Sequence, residues 1–245
     1  MSLHIIENLK TIHDRISLAC EKSNRDPKEV RLLLATKTVD SENILFALKQ
    51  GENLIGENKV QELTEKCTAI QSMNPEVHFI GHLQTNKIKE VLKWASCIES
   101  VDRLDLAERL NQRLIFEKKE IDVYIQVNTS YEESKFGVAP EDAIELIKNV
   151  AELKNIHIKG LMTIGLFSAE PEKVRKCFKL LKSIQEEAAA LNLPNVDLKE
   201  LSMGMSGDLE IAIEEGATII RVGTAIFGQR IYPDSFYWNE EKEVK

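Results

Sequence analysis

The chain lacks the spacing that a structural metal or a disulfide framework needs. Its four cysteines, Cys20, Cys67, Cys97 and Cys177, lie far apart with no C-x-x-C pair, which excludes a zinc ribbon and a disulfide-stapled scaffold. The five histidines are dispersed without H-E-x-x-H or similar spacing, so no metal cluster is legible. No apolar run approaches the ~20 residues of a membrane span. Residues 1–7 lack the basic-then-apolar start of a secretory leader. With four reduced thiols, the expected location is the cytoplasm. Positive charge is not in excess either: the formal net charge is −8. That argues against a nucleic-acid or anionic-membrane surface and leaves room for a local basic pocket. There is no G-x-S-x-G elbow, no Walker loop and no G-x-G-x-x-G turn after the first strand.

What the chain does have is alternation. With 43% hydrophobic and 29% charged residues over 245 positions, it can bury a large core. Apolar positions Leu3, Ile6, Leu9, Ile12, Ile16 and Ala19 have helical spacing. After Pro27, eight short apolar runs follow, at 32–37, 53–58, 77–83, 97–101, 122–128, 156–163, 200–203 and 219–223. Helical patterns fill most of the gaps, at 41–50, 60–72, 87–94, 103–117, 141–152, 171–191 and 207–215. Eight such units predict an α/β fold, a single (β/α)8 TIM-type barrel with an extra N-terminal helix. A doubly wound open sheet is the alternative. No Pro-, Gly- or Ser-rich linker interrupts the pattern, so one domain is expected over 1–245, with its core at about 28–230.

In a barrel, the residues just past each strand converge on one mouth. Lys37 closes the run Leu32-Leu33-Leu34-Ala35-Thr36-Lys37. A buried lysine there loses its proton readily and becomes a Schiff-base amine. The bland alternative is that it snorkels into water. Ser206-Gly207-Asp208 precedes a short helix, and Gly223-Thr224 follows the last strand. Loops seven and eight are where such barrels commonly bind phosphate, although Ser206 as a cap and Gly223 as a packing glycine would explain each one alone. Arg221 interrupts the run Ile219-Ile220-Arg221-Val222 and is costly unless paired or facing a ligand. Asn58 and His82 lie at strand ends, where a cap and a hydrogen-bonded structural residue are the competing readings. Met162 lies in the Gly160-Leu161-Met162-Thr163 strand end. Glu57 could pair with Lys37 or another base.

A Schiff-base lysine and a phosphate cup in one barrel suggest pyridoxal 5′-phosphate. Several segments then resemble the pyridoxal phosphate homeostasis protein family (YggS-like, the PROSC group). They are Ala35-Thr36-Lys37-Thr38, Ile55 to Glu62, His78 to Lys87, Gln126 to Thr129, Ser134 to Gly137, Gly160 to Gly165, Leu201 to Glu210 and Arg221 to Gly228. The resemblance implies the N-terminal barrel of alanine racemase standing alone. Lys37 would carry the cofactor as a covalent aldimine, and Ser206, Gly207, Gly223 and Thr224 would hold its phosphate. Arg221 would face the pyridine nitrogen and Asn58 the ring, with His82 and Met162 as pocket residues. It also implies a non-catalytic carrier and regulator of the cofactor, with apo-forms of pyridoxal-phosphate enzymes as partners. A racemase-type amino-acid enzyme and a Schiff-base aldolase acting on a sugar phosphate remain the alternatives.

Overall fold

A computed structural model describes residues 2–228. The aromatic tail singled out by sequence, with Tyr232, Pro233, Tyr237 and Trp238, lies outside the described residues, as do the last two positions of the expected core. Helix α1 (Ser2–Lys22) comes first. Then β1 (Arg31–Ala35), α2 (Ser41–Lys49), β2 (Leu54–Glu57), α3 (Val60–Ile70), β3 (Glu76–Phe79), α4 (Ile88–Val91), β4 (Cys97–Val101) and α5 (Leu104–Glu117) follow. The second half holds β5 (Ile121–Gln126), α6 (Ala143–Ala151), β6 (Ile156–Met162), α7 (Pro171–Ala190), β7 (Val196–Ser202), α8 (Leu209–Glu214), β8 (Ile219–Val222) and α9 (Thr224–Phe227). The eight strands pair in parallel, each with the next, and β8 closes on β1. This is the expected (β/α)8 barrel with an N-terminal helix.

The strands read as near-continuous apolar runs because both faces are covered. One face of β1 sends Leu32 and Leu34 outward against the helices, while Leu33 enters the lumen. Leu33, Leu54, Cys97, Tyr124, Met162 and Ile219 form the apolar part of that lumen. Charged side chains share it: His78, Glu99 and Arg221 are each at most 6% exposed. Local chemistry ends the elements. Asp40 accepts from the Asn43 amide to start α2, and Pro171 occupies the first turn of α7, as such residues do.

Four details depart from the sequence reading. The buried stripe of α1 is Ile5, Leu9, Ile12, Ile16 and Ala19, while Leu3 and Ile6 are exposed, because they fall off the 3.6-residue stripe that continues to Ala19. Strand β7 begins four residues before position 200, in a rim segment whose Asp197 and Lys199 hide its strand character. The helix expected over 87–94 is a 3₁₀ turn at Thr85–Lys87 and a four-residue α4. Strand β1 stops at Ala35, so Lys37 stands in a turn two residues beyond it and is half-buried rather than buried.

Candidate functional site

The turn that carries Lys37 is pinned on both sides. Thr36 is fully buried; its hydroxyl donates to Glu57 Oε1 at 2.5 Å, and its carbonyl accepts from Lys66 Nζ at 2.7 Å. Thr38 adopts φ +66°, which a β-branched residue holds only when its surroundings impose it. Its amide donates to Glu62 Oε2 at 2.7 Å. Lys66 on α3 ties the arrangement together, donating also to Glu57 at 2.8 Å and Glu62 at 2.6 Å. So Glu57 pairs with Lys66. Burial pushes the Glu57 carboxyl up, against the pull of the Lys66 ammonium. Lys66 is itself spent on three hydrogen bonds.

Strand β8 lies beside β1 in the register Leu34↔Val222, which brings Gly223 against Ala35. A Cβ on Gly223 would stand 2.8 Å from the Ala35 carbonyl oxygen. The next residue, Thr224, meets the loop after β7: its hydroxyl donates to Ser206 Oγ at 3.3 Å. The Ser206 and Gly207 amides reach no backbone carbonyl among the described residues, and a Cβ on Gly207 would enter open space. Two hydroxyls and these two amides therefore come together where the loops after β7 and β8 meet, in a cup with open space at Gly207. The α8 N-cap position belongs to Asp208, not Ser206. Asp208 turns back to accept from the Met205 amide at 2.5 Å, and burial pushes its carboxyl up. Helix α1 braces the cup from outside. Arg15 grips Glu210 with two hydrogen bonds, at 2.6 and 2.9 Å, and the Ser206 carbonyl at 3.0 Å.

Arg221 lies inside the barrel, its guanidinium donating to Ser202 Oγ at 2.8 Å and to the Thr163 carbonyl at 2.7 Å. Burial lowers its pKa, and the negative charges of Glu99 and Asp208 oppose that shift. Met162, one residue before Thr163, is buried in the lumen with Leu33 and Tyr124. Asn58 is half-buried after β2, with Gly81 of the next loop packed directly on its carbonyl. His82 is half-buried and stacks on Phe136, ring centroids 3.8 Å apart, with Nδ1 3.8 Å from Asp102 Oδ2. Lys37, Asn58, His82, Ser206, Gly207, Gly223 and Thr224 all follow C-terminal strand ends of one barrel. Arg221 and Met162 lie just below them. Sequence reasoning did not find Lys66, Ser202, Glu99 or the His82–Phe136 stack. Glu99 and His78 carried the same signal as Arg221, a charged residue inside an apolar strand.

A cavity of about 360 Å³ opens at the opposite end of the barrel, lined by Arg31, Glu76, His78, Asp122, Lys159 and Glu200 among others. Its charges are largely paired, with Arg31 on Glu76 and Tyr124 on Glu200. No helix among the described residues is long and apolar enough to cross a membrane, and no group of three or more metal-ligating side chains forms among them.

Residues 8–231 match the family described as alanine racemase, N-terminal domain. The pyridoxal phosphate homeostasis protein of Aquifex aeolicus is 43% identical over 230 residues, covering 94% of this chain and all of that protein. A crystal structure from Bifidobacterium adolescentis superposes with a TM-score of 0.90 at 39% identity, covering 92% of this chain and 95% of the other. PipY of Synechococcus elongatus, solved with PLP bound, superposes with a TM-score of 0.77 at 32% identity, covering 89% of this chain and all of that one. The same barrel and the same full-length match recur in each comparison: the chain belongs to the pyridoxal phosphate homeostasis protein family, within the alanine racemase N-terminal domain fold.

Proposed function

We propose that this chain binds pyridoxal 5′-phosphate covalently at Lys37 and takes part in the intracellular homeostasis and delivery of that cofactor, rather than turning over amino acids. The observation that carries the reading is the convergence on one barrel mouth of a pinned lysine, a cup of two hydroxyls and free amides, and a buried guanidinium. The donor set suits the group: amides and hydroxyls for a phosphate, an amine for an aldehyde, and a permanently charged donor for a ring nitrogen. The open space at Gly207 leaves the cup room to accept a phosphate oxygen. Bound pyridoxal phosphate supplies an electrophilic aldehyde on an electron-poor ring. Lys37 would supply the amine that condenses with that aldehyde, releasing water. Ser206, Gly207, Gly223 and Thr224 would hold the phosphate, and Asn58, His82 and Met162 would line the ring pocket. Arg221 opposes protonation of the ring nitrogen, because a cation beside a base disfavours its charged form. That arrangement weakens the ring as an electron sink and favours holding the cofactor over using it. The names of the relatives and the bound PLP in PipY support the same reading. Release to apo-forms of pyridoxal-phosphate enzymes is the delivery half of the proposal.

The test is the visible absorption spectrum of the parent and of Lys37→Ala, before and after adding pyridoxal phosphate. The parent is expected to show a Schiff-base band that Lys37→Ala lacks. No band in the parent, even with cofactor added, would overturn the reading. Transfer to an apo-enzyme no faster than from free cofactor would remove delivery alone.

A further inference from the structure

Buried charges in a barrel lumen are costly, and this lumen holds three, Arg221, Glu99 and His78, within one hydrogen-bonded row. Arg221 donates to Ser202 Oγ at 2.8 Å. Ser202 Oγ lies 2.5 Å from Glu99 Oε2. Glu99 Oε1 lies 2.6 Å from His78 Nδ1, and His78 Nε2 lies 2.9 Å from Glu76 Oε1. Glu76 ends the row on Arg31 at the far cavity. At the Arg221 end the bond directions follow from donor chemistry alone. A guanidinium can only donate, so the Ser202 oxygen accepts and its proton goes to Glu99. Glu99 then accepts from both neighbours and is ionised. His78 has a carboxyl group at each ring nitrogen, and because both raise its pKa it donates from both, as an imidazolium. The backbone is arranged for this. Between Ile98 and Val101, β4 holds one residue more than the facing stretch of β5, and a bulge of this kind re-aims side chains near sites. Glu99 lies in that bulge and points into the lumen, fully buried.

We propose that Glu99, acting through the Ser202 hydroxyl and kept ionised by the His78 imidazolium, is a positioning residue that fixes the orientation of Arg221 toward the cofactor's ring nitrogen. This inference rests on the reading that Arg221 faces the ring nitrogen. Two of the guanidinium's five N–H donors are held by Ser202 and Thr163, which sets the plane of the group and aims the remaining donors. Without the Ser202 anchor, Arg221 is free to turn toward the other negative charge it feels, Asp208. A guanidinium turned that way no longer donates to the ring nitrogen, which then takes up a proton more readily.

The experiment uses full-length protein loaded with pyridoxal phosphate carrying ¹⁵N in the ring. The nitrogen resonance reports ring protonation, which a purely structural role would not move. In the parent, the resonance is expected to stay at its unprotonated position from about pH 6 to 9. In Ser202→Ala it is expected to titrate within that range, with the dissociation constant for the cofactor raised about tenfold. Glu99→Gln is expected to move the resonance in the same direction and to let His78 lose its second proton at lower pH, because the neutral amide removes one of the two negative charges that hold the imidazolium. Parental resonances and affinity in both variants would overturn the proposal while leaving the cofactor reading intact. If Glu99→Gln fails to fold, Ser202→Ala decides alone, since it removes one hydroxyl and leaves every charge in place. A parent that gives no bound-cofactor signal overturns both this inference and the function it rests on.

Discussion

His78 shows how far a single side chain can be driven by its neighbours. Burial alone would lower its pKa, but hydrogen bonds to Glu76 and Glu99 and their charges override that and raise it to about 9. The same interactions, against burial, hold Glu99 below the usual carboxylate range. For Glu76 the His78 bond and the Arg31 pair bring the carboxyl down to about 2. A group whose folded pKa is raised stabilises the fold fully below its unfolded pKa, near 6.5, and loses that contribution as pH rises through the folded value. The acidic partners contribute on the other side, above about pH 4.5, and are level through this range. We therefore expect the thermal midpoint to fall by roughly 5–10 °C from pH 6.5 to 9. Cys97 and Tyr124 also face His78, and burial pushes both upward, so they add a loss of the same sign near and above pH 9. The comparison with His78→Gln isolates the histidine, because that variant keeps both groups. A slope unchanged by the substitution would show that His78 is not charged in the fold.

At the scale of elements, the turn at 36–38 depends on α3 more than on β1. Lys66 is 6% exposed and bonds Thr36, Glu57 and Glu62 together. Removing one partner of a buried pair leaves a charge without compensation, which costs about 3–5 kcal/mol. Lys66→Met should lose stability on that scale by denaturant titration, and Lys66→Met with Glu57→Gln should recover most of it. Either variant should attach pyridoxal phosphate at Lys37 more slowly. Affinity for pyridoxine phosphate, which lacks the aldehyde, should hold, because the proposed phosphate cup lies in the loops after β7 and β8. Equal losses for both ligands would mean that the turn shapes the whole mouth. This contact was not legible in the sequence. Lys37 itself stood out because it ends an apolar run, but Lys66 sits in an ordinary amphipathic helix, Val60–Ile70, where a lysine reads as solvated. The cup was legible as two separate glycine-containing loops. Their meeting at Ser206 and Thr224 needed the closed register of the barrel. The four-residue α9 is too short for any periodicity to announce it.

For the whole molecule, parallel strands covered on both faces leave apolar runs, and it was the count of eight of them, with no G-x-G-x-x-G turn after the first, that favoured the barrel over a doubly wound sheet. The start of β7 was blurred by charges at its rim, and β1 and β3 stop at Ala35 and Phe79, short of the runs expected to 37 and 83. What the alternation could not reveal is how polar the lumen is, since lumen positions such as Glu99 and His78 look like isolated breaks in otherwise apolar strands. That polar interior bears on carrier against racemase. Racemisation needs a second acid/base on the face opposite Lys37. Of the tyrosines within the described residues, Tyr124 is buried in the lumen with its hydroxyl on Glu200, toward the far end of the barrel. Tyr131 is 60% exposed, and its hydroxyl donates to Glu141 at 2.7 Å. The His82 ring is stacked on Phe136. On the proposed binding mode, Lys37 would move a proton on one face only, and Arg221 would keep the ring a weak electron sink. Amino acids incubated with the loaded protein in deuterated water should therefore exchange their Cα proton slowly and with retention of configuration, and Lys37→Ala should abolish even that exchange. Formation of the opposite enantiomer at an appreciable rate would establish a second base and return the protein to the amino-acid enzymes.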